Sequence, residues 1–197
     1  MIDINLVHPI RTTQLAISHF LRVRGDKPQK PKHILLISSI AAQNAWMTGP
    51  LYSAAKHGIT GFVRSLAKLD QQLGIRVTAV APAIIKTPLW TDHPESAFMI
   101  DESKDVWVSP EEVATVMLAL LQQEQVGEFI GDNSDSGTQF AVEGGTILEV
   151  AKTVRRVEKF NDPGPQDRPG TTISGYHFLE DQVFQILGQK GWGVSKS

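Results

Sequence analysis

Residues 33–39, HILLISS, and residues 51–82, LYSAAKHGITGFVRSLAKLDQQLGIRVTAVAP, contain the pattern that decides the fold. The first stretch begins with a short, continuously apolar run, which is typical of a strand buried on both faces of a parallel sheet. In the second, apolar residues recur at helical spacing from Leu51 to Leu73, Gly74 suits a left-handed cap, and 75–81 is a β-branched strand. Strand, helix and strand in this order predict a right-handed crossover unit and therefore an α/β protein.

Further elements are expected on both sides of this unit. A broad apolar stripe predicts a helix over residues 4–24. The irregular segment 88–108 is long enough for a lid or a binding loop. The segment 109–125 begins with Ser-Pro-Glu-Glu, the residues of a capping box, and is expected to be helical. A short strand is expected at 128–130 and a polar turn at 132–138.

The composition changes after residue 150. Prolines and glycines become frequent from Asn161 onward, and one amphipathic helix is expected near 180–187. We therefore predict two parts, a compact one at 1–150 and a C-terminal surface extension at 151–197.

The bulk composition narrows the possible functions. The chain contains no cysteine, which excludes disulfides, thiolate nucleophiles and cysteine-ligated zinc and is compatible with a cytoplasmic protein. A formal net charge of −2 gives no electrostatic reason to expect a nucleic acid or a membrane surface as partner. We see neither a membrane-spanning run nor a signal peptide. His8, His19 and His33 lack ligand spacing with carboxylates, so no metal site is expected.

Three features near the crossover unit carry chemistry. Tyr52 and Lys56 are four residues apart on the predicted helix, so their side chains share one face. A phenol alone is a poor base at neutral pH, and an ammonium one turn away favours the phenolate. Ser39 ends the preceding strand, thirteen residues before Tyr52, where a hydroxyl can reach the same substrate oxygen. The next strand leaves through Pro82-Ala-Ile-Ile-Lys-Thr-Pro88 at the same edge of the sheet.

Strand-Ser-Ser, Tyr-x-x-x-Lys and strand-Pro-x-x-x-x-Thr-Pro together form the pattern of short-chain dehydrogenases/reductases, which residues 2–130 resemble. Residues 4–6, Ile-Asn-Leu, look like the start of the family's asparagine-bearing helix. The wording of residues 55–62 is similar to the group of 15-hydroxyprostaglandin dehydrogenase. The resemblance implies a partial Rossmann-type parallel sheet, comprising the last three or so strands of the family, with flanking helices and the C-terminal extension.

The resemblance also implies an oxidoreductase that passes hydride between NAD(P) and a secondary alcohol or ketone. In such a site Tyr52 is the general acid and base, and Lys56 favours its phenolate and holds the nicotinamide ribose. Ser39 orients the substrate oxygen, and Asn5 holds a water that links Lys56 to solvent. The family's helices of self-association correspond to residues 4–24 and 51–73, so a homo-oligomer is expected.

The loop after the second strand matches the family's nicotinamide contact. The matching cofactor-binding residues are Tyr52, Lys56, Pro82, Ala83, Ile85 and Thr87. Ala83 departs from the family's usual glycine, and its methyl group alters the space or the backbone angle available to the cofactor. The resemblance favours NAD over NADP.

The family's phosphate-binding turn, Gly-x-x-x-Gly-x-Gly, does not occur in this sequence. Gly144 and Gly145 lie too late in the chain and precede no helical pattern. Two alternatives to a complete enzyme therefore remain open at this point. The first is a truncated, non-catalytic family member that acts through oligomerisation or partner binding. The second is a domain completed in trans by a separate nucleotide-binding chain.

Overall fold

The computed structural model describes residues 1–24, 30–44, 46–93, 100–101, 103–130, 134–158 and 176–189, with side chains except at 128–130, 134–138 and 176–177. The helices are α1 (His8–Arg22), α2 (Pro50–Ser65), α3 (Lys68–Leu73), α4 (Pro88–Thr91), α5 (Pro110–Gln122) and α6 (Tyr176–Leu187). The strands are β1 (Lys32–Ile37), β2 (Ile75–Pro82), β3 (Gln125–Ile130), β4 (Ser134–Ala141), β5 (Ile147–Val150) and β6 (Val154–Arg156). No helix among these residues is long and apolar enough to cross a membrane.

A parallel sheet lies at the centre of the molecule, which confirms the predicted α/β class. Its strand order is β1-β2-β5-β6, with β1, β2 and β5 parallel and β6 antiparallel to β5. Every residue of β2 is buried, as expected for a strand with neighbours on both sides and helices on both faces. Because β6 lies past residue 150 and still pairs with β5, the division between 1–150 and 151–197 stays a prediction.

Side chains of β2 alternate between two hydrophobic clusters, one on each face of the sheet. Val77 and Ala79 face the cluster that α1, α2 and α3 complete, whereas Val80 faces the cluster around α5. Ile59 and Val63 of α2 are fully buried in the first cluster. The period-two pattern of β2 and the helical period of α2 thus orient α2 across the sheet, with its first turns at the carboxyl end of β1.

The predicted helix at 4–24 is present but begins as a wider, π-helical turn at Asp3–Val7 before α1. Gly58 of α2 lies against this turn, and a Cβ atom on Gly58 would stand 2.9 Å from Leu6 Cδ1. The glycine therefore lets the π-helical turn approach α2 closely. This approach brings Asn5 to the side of α2 that bears Lys56.

The predicted helix at 51–73 is interrupted, because α2 ends at Ser65 and α3 begins at Lys68. The loop before β5 packs on this break: a Cβ atom on Gly144 would lie 2.2 Å from the backbone oxygen of Ala67. Gly145 has φ +86, a conformation that favours glycine. The pair Gly144-Gly145 thus serves a close approach of backbones.

A network of polar groups lies at the amino end of β2, next to the loop before β5. Arg76 Nε donates to Asp70 Oδ2 at 2.8 Å, and the Gly144 backbone N–H donates to that same oxygen at 2.9 Å. Both partners of the ion pair are shielded, with side-chain exposures of 11% for Arg76 and 15% for Asp70. The network ties α3, β2 and the loop before β5 together.

The C-terminal half differs most from the sequence expectations. The polar turn predicted at 132–138 is wrong for residues 134–138, which belong to β4, whereas residues 132–133 lie outside the described residues. Strand β4 pairs antiparallel with β3 in a separate ribbon. Backbone pairing defines this ribbon, and Val126 with its neighbour Phe140 attaches it to the core. The lid expected at 88–108 falls partly on residues 94–99 and 102, which lie outside the described residues.

Candidate active site

Tyr52 and Lys56 lie on the first turns of α2, which begins with Pro50 at its first position. Lys56 Nζ stands 5.4 Å from the centroid of the Tyr52 ring, within the distance of a cation–π contact. The two side chains thus stack on one face, as their spacing predicts. Tyr52 is half-buried, so its ring remains accessible.

Lys56 is anchored at the carboxyl end of β1. Its residue exposure is 6%, and Nζ donates a 2.9 Å hydrogen bond to the backbone oxygen of Ile37. Burial disfavours the charged ammonium and lowers the pKa of Lys56. An ammonium has three donor hydrogens, so the bond to Ile37 leaves others for further acceptors.

Two serines at the end of β1 have different roles. Ser39 Oγ accepts a 3.2 Å hydrogen bond from Ala41 N and caps a short 3₁₀ turn at Ile40–Ala42. This bond uses an oxygen lone pair, so the hydroxyl hydrogen of Ser39 can still be donated. Ser38 instead turns towards α2, where its Oγ shares a 3.0 Å hydrogen bond with Thr60 Oγ1. The Ser38–Thr60 contact fixes the strand end on the helix that bears Tyr52 and Lys56.

Asn5 lies on the π-helical turn and shares a cavity with Lys56. The Nδ2 group of Asn5 donates to the backbone oxygen of Met1 at 3.1 Å. The cavity has a volume of about 500 Å³ and lies between the π-helical turn, α1 and the outer side of β1. Widened helical turns of this kind often occur at functional sites. Asn5 and Lys56 therefore lie close enough to a common space for one solvent path to serve both.

The loop after β2 lies beside the end of β1, because Ile37 pairs with Val80 two residues before Pro82. Ala83 N donates to Val150 O at 2.8 Å, so this backbone group is used within the sheet. Ile85 forms an isolated parallel bridge with Val108. Thr87 precedes α4 without capping it through its side chain. The four predicted loop residues therefore lie at or just after the carboxyl end of β2, at the same end of the sheet as Ser39 and Lys56.

Sequence reasoning missed three polar residues close to this end of the sheet. Gln43 follows the 3₁₀ turn, and its Nε2 and Oε1 atoms are buried without a hydrogen-bond partner, as is Ser53 Oγ on α2. Thr60 was also missed, although a hydroxyl one turn after Lys56 within an apolar stripe is a usable signal. Within the described ranges, no three His, Asp or Glu side chains lie close enough to hold a metal ion.

Comparison with known sequences decides the family. The profile of the short chain dehydrogenases matches residues 1–97, which include Asn5, Ser39, Tyr52 and Lys56. The chain belongs to the short-chain dehydrogenase/reductase family. The match of the profile ends before α5, so the family pattern is strongest in the part that carries the candidate site.

Individual relatives of this dehydrogenase-family chain agree with the profile. Carbonyl reductase family member 4 of Xenopus laevis is 30% identical over 150 residues, which are 76% of this chain and 57% of that protein. The 15-hydroxyprostaglandin dehydrogenase [NAD(+)] of Rattus norvegicus is 36% identical over 90 residues, 45% of this chain and 33% of that protein. The chain thus spans little more than half the length of the first of these relatives.

A solved structure supports the fold. The 3-hydroxyacyl-CoA dehydrogenase type-2 of Mycobacterium avium superposes with a TM-score of 0.60 at 21% identity, covering 80% of this chain and 56% of that one. This confirms the Rossmann-type architecture. The predicted sub-group stays a prediction, since carbonyl reductase and prostaglandin dehydrogenase sequences both match. The roles assigned to single residues also stay predictions.

Proposed function

We propose that this chain carries the catalytic part of an NAD(P)-dependent oxidoreductase that interconverts a secondary alcohol and a ketone. The observation that carries the proposal is the placement of Lys56, whose ammonium stacks on Tyr52 and is held by the carbonyl of Ile37 at the strand end. Ser39 lies two residues further along the same strand end. A phenol, an ammonium and a hydroxyl donor at one sheet edge suit proton exchange with an alcohol oxygen.

In the proposed reaction Tyr52 exchanges a proton with the substrate oxygen. Lys56 stabilises the phenolate that remains when Tyr52 has given its proton to a ketone oxygen. Ser39 donates its free hydroxyl hydrogen to the same oxygen and orients it, because its lone pair already accepts from Ala41. Asn5 positions a water that carries the proton between Lys56 and solvent through the shared cavity.

The cofactor supplies or accepts the hydride when it is bound. The donor hydrogens that Lys56 retains fit the hydroxyls of a nicotinamide ribose, with Tyr52 beside them. Pro82, Ala83, Ile85 and Thr87 would contact the nicotinamide from the loop after β2. NAD is favoured over NADP, in line with the name of the rat relative. The residues named fit the nicotinamide end of the cofactor, whereas the Gly-x-x-x-Gly-x-Gly turn by which the family binds the pyrophosphate does not occur in this sequence.

The test is a measurement of hydride transfer at millimolar NAD and NADP with a panel of small secondary alcohols and ketones. The Tyr52→Phe variant is expected to lower kcat by about 10²–10⁴-fold, the usual contribution of a general acid or base. Tyr176→Phe is the matched control, because Tyr176 is the other tyrosine of the chain, and it should leave kcat unchanged. Equal activity of both variants, or no nicotinamide binding by the unmodified chain, would contradict the proposal.

We also propose that the chain forms a homo-oligomer through the helical segments 4–24 and 51–73, as the family resemblance implies. Large apolar side chains remain exposed along this surface, among them Val7 at the end of the π-helical turn, Leu15 on α1 and Leu51 on α2. Such side chains are suited to burial in an interface.

The absence of cysteine supports a cytoplasmic location.

A further inference from the structure

A groove of about 710 Å³ lies between α6 and the helices on which α6 packs. Phe184 and Leu187 of α6 pack against the same hydrophobic cluster as Ile17 of α1 and Leu66, directly after α2. These contacts hold α6 in place but leave the groove open beside them. Packed interiors contain few voids larger than a water molecule, whereas ligand sites commonly have volumes of about 300–1,000 Å³ and often lie between helices. The groove therefore has the size and the position of a ligand site.

The groove is separate from the candidate active site. On α2 it begins at Ser65, the last residue of that helix. Ser65 comes thirteen residues after Tyr52 and therefore lies about 20 Å further along the helix. The residues that line the groove and those that line the cavity shared by Asn5 and Lys56 have no member in common. A ligand in the groove is thus not the substrate of the proposed reaction.

The wall of the groove is mainly apolar. Leu179 and Val183 of α6 border it and remain 57% and 51% exposed. An apolar ligand would remove these side chains from water, which is favourable in proportion to the area covered. Further apolar side chains come from α1, from the segment between α2 and α3, and from α6: Ile17, Leu66, Leu69, Phe184 and Leu187. The lining thus favours a hydrocarbon chain as the occupant.

The charged side chains of the groove leave one positive charge uncompensated. Lys68 of α3 and Glu180 of α6 both line the groove and form an ion pair, so their charges neutralise each other. Among the described residues, the side-chain partner of Arg11 is the neutral amide oxygen of Gln14, at 3.5 Å. A guanidinium suits a carboxylate, which it can bind through two parallel hydrogen bonds. The groove therefore combines an apolar wall with a cation that is suited to one anionic group.

We propose that this groove binds one long-chain fatty acid. The hydrocarbon chain lies between α6 and the apolar residues of α1 and of the α2–α3 segment, and the carboxylate binds the guanidinium of Arg11. The site depends neither on the oxidoreductase activity nor on the self-association proposed above. Because α6 forms one wall, a bound fatty acid also stabilises the packing of this helix on the rest of the fold.

Two substitutions at similarly exposed positions of α6 test the location of the site. The probe is cis-parinaric acid, a fatty acid that fluoresces in apolar surroundings, and laurate is the competitor. For the unmodified chain we expect a dissociation constant below about 100 µM, the affinity with which a single acyl chain partitions into a bilayer. Val183→Asp puts a carboxylate into the groove wall and should weaken binding at least about tenfold. Ile186→Asp is the matched control, because position 186 is 49% exposed and does not line the groove.

Arg11→Gln tests the recognition of the carboxylate. This substitution should weaken the binding of decanoate about fivefold, because a charge-assisted hydrogen bond is lost. It should leave unchanged the binding of 1-decanol, which has the same chain length and no charge. Arg22→Gln is the control, since it removes the same charge from α1 at a position outside the groove. Equal losses for decanoate and 1-decanol in Arg11→Gln would contradict the proposed role of the guanidinium.

The remaining outcomes decide between a fatty acid and other occupants. If the unmodified chain does not bind cis-parinaric acid, or if Val183→Asp and Ile186→Asp bind it equally well, the proposal is wrong. It is also wrong if no fatty acid binds and Val183→Asp alone reduces self-association in sedimentation velocity, because the groove is then a contact between copies. Ser18→Phe fills part of the groove without adding charge and should also weaken binding. Circular dichroism verifies that each variant is folded, and the Tyr52→Phe assay tests the oxidoreductase independently.

Discussion

The buried charged side chains at the two ends of the parallel sheet have different kinds of partner. At the amino end of β2, Arg76 meets the carboxylate of Asp70, which also accepts the N–H of Gly144. At the carboxyl end of β1, Lys56 is buried to a similar degree, but the partner that the structure gives it is the uncharged carbonyl of Ile37. The charge of Arg76 is thus neutralised by a carboxylate, whereas the partner given for Lys56 leaves its positive charge uncompensated.

The difference separates the end of the sheet that contributes stability from the end at which the proposed site lies. A buried ion pair with a further hydrogen bond costs much free energy to break. Because its two charges neutralise each other, they are not available to a ligand. Burial of an ammonium without a carboxylate lowers the stability of the fold. The charge of that ammonium can still stabilise a phenolate or interact with a ribose hydroxyl. The buried, unpartnered amide of Gln43 lies at this second end as well.

Breaking the amino end should have the largest effect. Gly144→Ala places a methyl group 2.2 Å from the backbone oxygen of Ala67, so the loop has to move away from α3 and from Asp70. We expect the free energy of unfolding, measured with urea, to fall by about 3 kcal/mol or more. Gly61→Ala is the control: its methyl group meets nothing within 4 Å, and it should raise stability by about 0.5–1 kcal/mol. Equal effects of the two substitutions would contradict this account of the loop.

The carboxyl end should reveal its uncompensated charge through pH. Burial lowers the pKa of Lys56 in the fold, so the unfolded chain holds this proton up to a higher pH than the folded chain does. The burial penalty is present at pH values below the folded pKa, and it declines as the pH rises from there towards the ordinary pKa of 10.5. The unfolding free energy of the unmodified chain, relative to Lys56→Met, should therefore increase between pH 7 and pH 10. A difference that stays constant over this range would show that the ammonium carries no such penalty.

The smallest effect is expected at Gln43. Replacing its buried amide by the similarly sized side chain in Gln43→Met removes two polar atoms without a partner. Stability should stay the same or rise by about 1 kcal/mol. Gln72→Met, at an exposed position on α3, should change little and serves as the control. A clear loss of stability in Gln43→Met alone would mean that the amide is satisfied in solution.

Local signals predicted much of this fold. The capping box at Ser109 is present with both of its hydrogen bonds, and Gly74 adopts the left-handed conformation expected after α3. The stacking of Lys56 on Tyr52 also follows directly from their spacing. In each of these cases the residues that determine the structure are neighbours along the chain, so a single sequence contains the necessary information.

Features that depend on distant residues could not be predicted in this way. The interruption between α2 and α3 reflects the packing of Gly144 against Ala67, which are far apart in sequence. The turn-like composition of residues 134–138 predicts a turn, and the pairing of β4 with β3 outweighs that preference. The acceptor of the Lys56 ammonium is a backbone carbonyl, which no side-chain pattern reveals.

Strand β1 uses only every second backbone amide to pair with β2. Contacts along its outer side can therefore be recognised by the amides that they involve. Lys32 N and Ser38 N donate to Gly74 and Val80, so the even-numbered amides of this strand point towards β2. The amides of residues 33, 35 and 37 therefore point the other way, where the described strands place no neighbour. Hydrogen exchange along β1 should consequently alternate between slow and fast, residue by residue. Anything that later pairs with this strand would slow only the odd-numbered amides, which identifies the event without a view of the partner.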